Sequence, residues 1–189
     1  MTEKNKGNQK SEKSKMWMEN TLIKLMETEV YNEITIQEIT DNAGLSRRTF
    51  YRNYSSKEEI IEQLFVKIWN EYEVLITSQD DLSMTNVTRV FFTIMTRHID
   101  FLLIVNHHHL LPIFLTKVDE LLPPIFYETK GKMMPFNKES ISYALSFGTG
   151  GLMRILIKWL NDDQRKSPDE MALIVNNMML ILNYQKTYS

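Results

Sequence analysis

Apolar residues in this chain recur at helical intervals from Met16 onward, and no run of useful length alternates with the period of two that a half-buried strand requires. That spacing restricts the chain to an all-α fold. A stripe repeating every three to four residues lines one side of a helix, whereas in a strand it would be scattered over both faces of a sheet. No internal repeat recurs. With 189 residues, 43% of them hydrophobic and 24% charged, the chain holds enough apolar material to bury a core.

The charge balance, Lys+Arg 22 against Asp+Glu 24, leaves a net charge of -2, so any attraction to nucleic acid has to be concentrated locally. The cysteine count of 0 excludes disulfides, thiolate metal sites and cysteine nucleophiles, and suits a cytoplasmic protein. Residues Met1 to Lys15 are lysine-rich without an apolar signal core, and no later apolar run is long enough to span a bilayer. The expectation is a cytoplasmic protein with no membrane partner.

Residues 1–14 carry no apolar residue beyond Met1 and read as a flexible basic tail. A first helix begins at Met16, with Met18, Leu22, Leu25 and Met26 on one stripe, and ends near Tyr31 and Asn32. Thr35 and Glu38 form a capping box that opens a short second helix, ended by Gly44. Leu45 and Phe50 flank Ser46 as a hydrophobic staple, which makes Ser46 the N-cap of a third helix to about Tyr51. Ser56 and Glu59 repeat the capping pattern before a long fourth helix striped by Ile61, Leu64, Phe65, Ile68, Tyr72 and Leu75. The polar stretch from Thr77 to Ser83 reads as a joint, followed by one helical block from Met84 to about Val105. Pro112 and the pair Pro123 and Pro124 predict broken helix between His107 and Tyr127, and Gly131 and Pro135 mark a loop. A helix then covers about Lys138 to Asp162, and Ser167, Pro168 and Glu170 start the last one.

Two short helices joined by Gly44 and Leu45 have the connection of a helix-turn-helix, which lays its second helix in the major groove of DNA. From Leu45 to Lys57 the chain carries Arg47, Arg48, Arg52 and Lys57 and no Asp or Glu. Arg47 and Arg48 fall in the first turn of the third helix, where free N–H groups and the macrodipole favour an anion; Lys57 breaks the same rule after Ser56. A phosphate close by turns each local conflict into an attraction. Arg47, Arg48 and Thr49 are placed for base edges, with Ser46 and Arg52 in the same DNA-binding set. Thr35, Tyr51, Tyr54 and Lys57 suit sugar and phosphate contacts. The competing reading is a solvated arginine-rich face.

The run from Ile34 to Ile60 resembles the DNA-binding head of TetR-type (TetR/AcrR-like) regulators. The features that carry it are the Ala43-Gly44 turn, the helix start at Ser46, Thr49-Phe50-Tyr51, the aromatic Tyr54 and the opening Ser56-Lys57-Glu58-Glu59. The likeness is specific over about Met16 to Phe65, although Arg48 stands where many members carry a small residue. It implies a three-helix helix-turn-helix DNA-binding domain over residues 15–61 and a helical effector-binding and dimerisation domain over 62–189. It further implies a homodimeric repressor that reads a palindromic operator in double-stranded DNA. Gly151 to Leu160 and Ser167 to Met171 are similar to the body of a bacterial subgroup that includes regulators with protein partners, so the effector is a small molecule or a protein.

The apolar sides of the last two helices suit a four-helix dimer interface, assigned to Gly148, Gly151, Leu152, Ile155, Trp159, Ile174, Met178 and Ile181; core helices of a monomer are the alternative. Phe92, Met95, Phe101, His109, Phe114, Phe126 and Phe147 mark an effector pocket or an ordinary core. The triple His107, His108 and His109 has no cysteine to help it and reads as polar lining or surface, so neither a metal nor a cofactor is expected. No phosphate loop, nucleophile elbow or metal-spaced set is present, which argues against an enzyme and names no catalytic residue. A helical adaptor working through protein contacts and a transcriptional activator are the alternative functions.

Overall fold

A computed structural model describes residues 3–129 and 135–182. Regular structure among the described residues is helical throughout: α1 Glu3–Met26, α2 Ile36–Asn42, α3 Arg47–Asn53, α4 Lys57–Thr77, α5 Met84–Arg97, α6 Ile99–His107, α7 Leu111–Thr129, α8 Lys138–Leu160 and α9 Pro168–Leu182. The chain divides into two compact units, Met1–Val66 with Leu103–Phe114, and Lys67–Leu102 with Leu115–Ser189. Residues 103–114, assigned from sequence to the body, thus join the first unit. Phe114 is buried there and stacks on Phe65 with ring centroids 4.8 Å apart.

In the first unit α1, α2 and α3 pack on one another. Their core is Met18, Leu22, Ile39 and Phe50, joined by Ile60, Ile61 and Phe65 of α4, all with no exposed surface. The expected flexible tail is helix instead, since α1 starts at Glu3 and not at Met16. Short hydroxyl side chains supply the contacts that apolar residues do not. The Ser11 hydroxyl donates to Asn53 Oδ1 at 2.6 Å, and the buried Ser14 donates back to the Lys10 carbonyl at 2.9 Å.

Helix α2 opens with the expected capping box between Thr35 and Glu38. It ends in a Schellman motif: Leu45 N–H donates to Thr40 O at 2.9 Å and Gly44 N–H to Asp41 O at 3.1 Å. Gly44 sits at φ 64, in the left-handed region. The same motif ends α6, where His109 holds φ 59 while Leu110 N–H donates to Val105 O at 2.8 Å. An L residue with a Cβ is strained in that region. At the start of α4 the Ser56 hydroxyl accepts from Glu59 N–H, but the Glu59 carboxylate turns to Ser55, accepting from its N–H at 2.6 Å and its hydroxyl at 2.7 Å.

In the second unit α5 packs along α9. Phe92 is fully buried and meets Trp159 edge to face at 5.4 Å, and Thr85 donates to Asn176 across the pair. The block expected to run unbroken from Met84 to Val105 is two helices. Its break falls at His98, the C-cap of α5, whose N–H donates to Met95 O. No proline or glycine marks this point in the sequence. Conversely, the segment expected as broken helix is the continuous α7, with Pro123 and Pro124 inside it. The carbonyls that these prolines leave without a helical donor belong to Asp119 and Glu120, both exposed, where water can satisfy them. No single helix among the described residues is long and apolar enough to cross a membrane.

Replacing Gly44 by Ala should cost about 1–2 kcal/mol in urea unfolding. His109→Gly should gain up to about 1 kcal/mol, because the strain relieved exceeds the entropy that Gly adds to the unfolded chain. Hydrogen bonds from Thr35 and from Ser55 hold the Glu38 and Glu59 carboxyls below their ordinary value of 4.5. Folded values below the unfolded ones give stability that is complete above pH 4.5 and is lost as pH falls through the lowered values. Thermal melts should therefore show Glu38→Ala and Glu59→Ala lowering Tm at pH 7, with the gap to the parent closing in acid.

Candidate nucleic-acid interface

The surface of α3 is built from one buried anchor and a row of exposed cations. Phe50 has no exposed surface and fixes the helix to the core, so the positions turned away from it face water. These are Arg47, Arg48, Tyr51 and Arg52, all exposed, with Tyr51 53% accessible. Ser46 caps the helix as expected, its hydroxyl accepting from Thr49 N–H at 3.2 Å and lying 3.0 Å from the Thr49 hydroxyl. The Arg47 guanidinium lies 6.0 Å from the Tyr51 ring centroid, with its Nη2 3.5 Å from the phenol oxygen. Among the described residues no carboxylate pairs with Arg47, Arg48 or Arg52. No acid lies in the first turn of α3 either. Three cations thus crowd a short helix, two of them at its positive end, without an internal anion to balance them.

Four residues of the expected set have internal work. Thr35 is exposed, yet its hydroxyl and N–H both bond Glu38 within the α2 cap. Tyr54 is buried, and its hydroxyl donates to Glu19 Oε1 at 2.8 Å. Burial first, and the Glu19 carboxylate second, raise its phenol well above the ordinary value of 10.0 and keep it protonated. Ser46 is the α3 cap just described. The Lys57 ammonium donates to the carbonyls of Tyr31 at 2.6 Å, Ile34 at 2.7 Å and Asn32 at 3.2 Å, and sits 4.5 Å from the Tyr31 ring centroid. All three of its protons thus have partners inside the protein.

Sequence reasoning missed the supports of α3. Glu19 and Ser11 of α1 grip its C-terminal end through Tyr54 and Asn53, and Asn53 also donates to Thr49 O at 2.7 Å. One signal for Tyr54 was legible: it stands four residues after Phe50, on the side of the helix that faces the core. Residues 27–35, between α1 and α2, are held by Lys57 and by His108. The His108 Nδ1 accepts from Tyr31 N–H at 3.4 Å, and its Nε2 lies 2.8 Å from Met26 O, so the ring bridges the two ends of this segment.

In the second unit a cavity of about 620 Å³ is bounded by residues of α4, α5, α7 and α8, among them Trp69, Tyr72, Phe91, Phe126, Ile141 and Leu152. Of the residues expected in an effector pocket, only Phe126 lines it. Phe92 and Met95 are core, Phe101 is half-buried off the wall, and Phe147 is 73% exposed. His109 and Phe114 belong to the first unit, one in the α6 turn and the other against Phe65. Helical spacing of the aromatics did not separate those that fill the core, Phe92 and Phe114, from Phe126 at the cavity and Phe147 on the surface.

The expected dimer set is divided too. Trp159 is buried within the single chain, its indole N–H donating to Lys166 O at 2.8 Å, and Gly148 and Leu152 line the cavity. Ile155 and Met178 are half-buried, whereas Gly151, Ile174 and Ile181 are exposed. With them lie Tyr143, Phe147, Leu173 and Leu180, apolar or aromatic side chains that α8 and α9 leave in water. Among the described residues no group of His, Asp and Glu is arranged to hold a metal ion.

A family model described as bacterial regulatory proteins of the tetR family matches residues 21–64, and one described as a transcriptional regulator C-terminal region matches residues 82–180. No curated protein matches the chain. Solved structures share the fold at low identity. A TetR transcriptional regulator from Streptococcus agalactiae has a TM-score of 0.61 and 19% identity, over 91% of this chain and 96% of that one. The fatty acid degradation regulator FadR from Bacillus halodurans gives 0.55 and 16%, over 88% and 94%. The dihydroxyacetone kinase operon activator DhaS gives 0.53 and 17%, over 89% and 95%.

The different work of the cations can be measured. Arg48→Ala should lower the slope of log K against log salt for duplex DNA by about 0.9 and leave stability within about 0.5 kcal/mol. Lys57→Met should do the reverse, costing about 1–3 kcal/mol in urea unfolding because three carbonyls lose their donor, with the salt slope of the folded protein kept.

Proposed function

The chain belongs to the TetR family of bacterial regulatory proteins, and from that premise we propose that it is a homodimeric repressor of transcription that binds a palindromic operator and responds to an effector. DNA binding by a regulator of this family is the general activity; the repressor role, the two-fold operator and the effector are our reading. The observation that carries it is the unpaired set Arg47, Arg48 and Arg52 on the exposed face of a helix capped by Ser46. Such a helix gains most from a partner that brings anions to its N-terminus and acceptors to its arginines, as the phosphates and guanine edges of a major groove do. Thr49 and Tyr51 complete the contact set.

The exposed apolar side chains of α8 and α9 support pairing with a second copy of the chain. A two-fold axis brings identical faces together, and two copies of such a face form a four-helix interface. Pairing would present two α3 helices to DNA, and half-sites one helical turn apart require such an arrangement. The sign of regulation depends on where the operator lies relative to the promoter. One of the fold neighbours is named as an operon activator, so activation is the second reading.

Selection of bound sequences from a random duplex pool is the direct test. The parent should recover a palindrome, and Arg47→Ala and Tyr51→Ala should both lose it. Enrichment indifferent to both changes would favour an adaptor that acts through protein contacts. In parallel, Phe147→Asp with Ile181→Asp should shift the protein from dimer to monomer in sedimentation and weaken operator binding at least about tenfold, whereas a parent that sediments as a monomer would refute the pairing.

A further inference from the structure

We propose that an outward stripe of α1, made of Lys10, Lys13 and Trp17, is a second DNA contact that holds the sugar-phosphate backbone beside the groove read by α3. It rests on the DNA-binding reading above and adds to it a surface upstream of residues 21–64, the stretch that the family's DNA-binding head covers. Two stripes run side by side along this part of α1. The inner one is Ser11, Ser14 and Met18, half-buried, buried and buried in turn. Lys10, Lys13 and Trp17 each stand one residue earlier, so they share a stripe of their own, turned by about 100° from the first. All three are exposed, and Trp17 is 49% accessible.

This stripe lacks a partner within the protein. Among the described residues no carboxylate pairs with Lys10 or Lys13; the neighbouring acid, Glu12, lies 3.6 Å from Lys15 on another side of the helix. A large indole left in water beside two unbalanced ammonium groups calls for a partner that is anionic and also offers apolar edges. The backbone of a duplex does both. Each lysine can take a phosphate of one strand, while the Trp17 ring lies against a sugar and its N–H donates to a phosphate oxygen. The stripe is also continuous with the surface of α3. The Ser11 hydroxyl donates to Asn53 Oδ1 at 2.6 Å; Lys10 adjoins Ser11 and the exposed Arg52 adjoins Asn53. A strand that leaves Arg52 therefore passes the start of the α1 stripe. None of the three residues reaches a base in this arrangement, so they add affinity and register equally for every sequence.

The test is a salt series of fluorescence-anisotropy titrations of the full chain with two duplexes of equal length, one recovered by the selection above and one of random sequence. Lys10→Gln with Lys13→Gln preserves helix propensity and removes both charges. It should lower the slope of log K against log salt by about 1.8 per chain bound, about 0.9 for each lysine, on both duplexes. Both affinities should fall by one common factor and the urea midpoint should stay in place, whereas Arg47→Ala should erase the preference for the selected duplex. A second readout uses the exposure of the indoles: Trp69 and Trp159 are 4% and 5% exposed, so acrylamide quenching reports Trp17. Saturating duplex should lower the quenching constant at least about twofold as the half-exposed ring is covered, and Trp17→Phe should abolish that protection. The proposal is overturned if the double variant keeps the parent's slope, if its loss is confined to the selected duplex, or if bound duplex leaves the quenching unchanged. A parent that binds neither duplex would overturn the DNA-binding reading and this contact with it, a result distinct from a bound duplex that ignores α1.

Discussion

The Lys57 ammonium and the main-chain carbonyls of Tyr31, Asn32 and Ile34 make the contact on which the first unit depends. Residues 27–35 leave one helix and enter another, so several of their carbonyls, those of Tyr31, Asn32 and Ile34 among them, fall outside the helical ladders, and polar backbone near a core has to be satisfied by something. A single cation at the start of α4 supplies three donors. His108 completes the closure from the other side by bridging Met26 O and Tyr31 N–H. Together with the Thr35–Glu38 capping box, these two side chains fix where α2 begins; α3 follows α2 through only four residues, Ala43 to Ser46. The exposed row of arginines is therefore held in register partly by groups that never meet solvent on that face.

The legible parts of the fold were those whose physics is local. The capping pairs Thr35 with Glu38 and Ser167 with Glu170 span three residues, and both form. The Ser46 cap and the Gly44 turn are equally local and equally readable. What was not legible came from partners distant in sequence or from the shape of the space between helices. Lys57 bonds carbonyls 23 to 26 residues away, so a sequence reading sees only its charge and assigns it to phosphate. Ser11 finds Asn53 over 42 residues and turns an apparent tail into helix. Phe92 and Phe126 look alike on a helical stripe, but one fills the core and the other borders a void. Pro123 and Pro124 persist within a helix because the carbonyls they orphan are on exposed residues, a fact of packing and not of composition.

The two units handle polar groups in opposite ways. In the first, cations are abundant; Lys57 is satisfied internally, whereas among the described residues no carboxylate pairs with Arg47, Arg48 or Arg52. In the second, the described residues of the cavity wall carry no charge, and among them the Trp69 indole N–H is buried without an acceptor. Each unmatched set marks a place where local consistency is broken, and such breaks gather where a molecule from outside supplies the missing half.

The arginines on α3 also govern how the protein meets DNA before any contact forms. The chain carries a net negative charge, so the surface outside this helix has a surplus of carboxylates. Approaching a duplex, such a molecule gains more attraction in orientations that lead with the α3 arginines than in those that lead with a carboxylate-rich face, and the field biases how it turns during diffusion. Encounters are thus sorted by orientation. Their rate falls as salt shortens the Debye length, and fewer collisions are wasted on faces that cannot read a base.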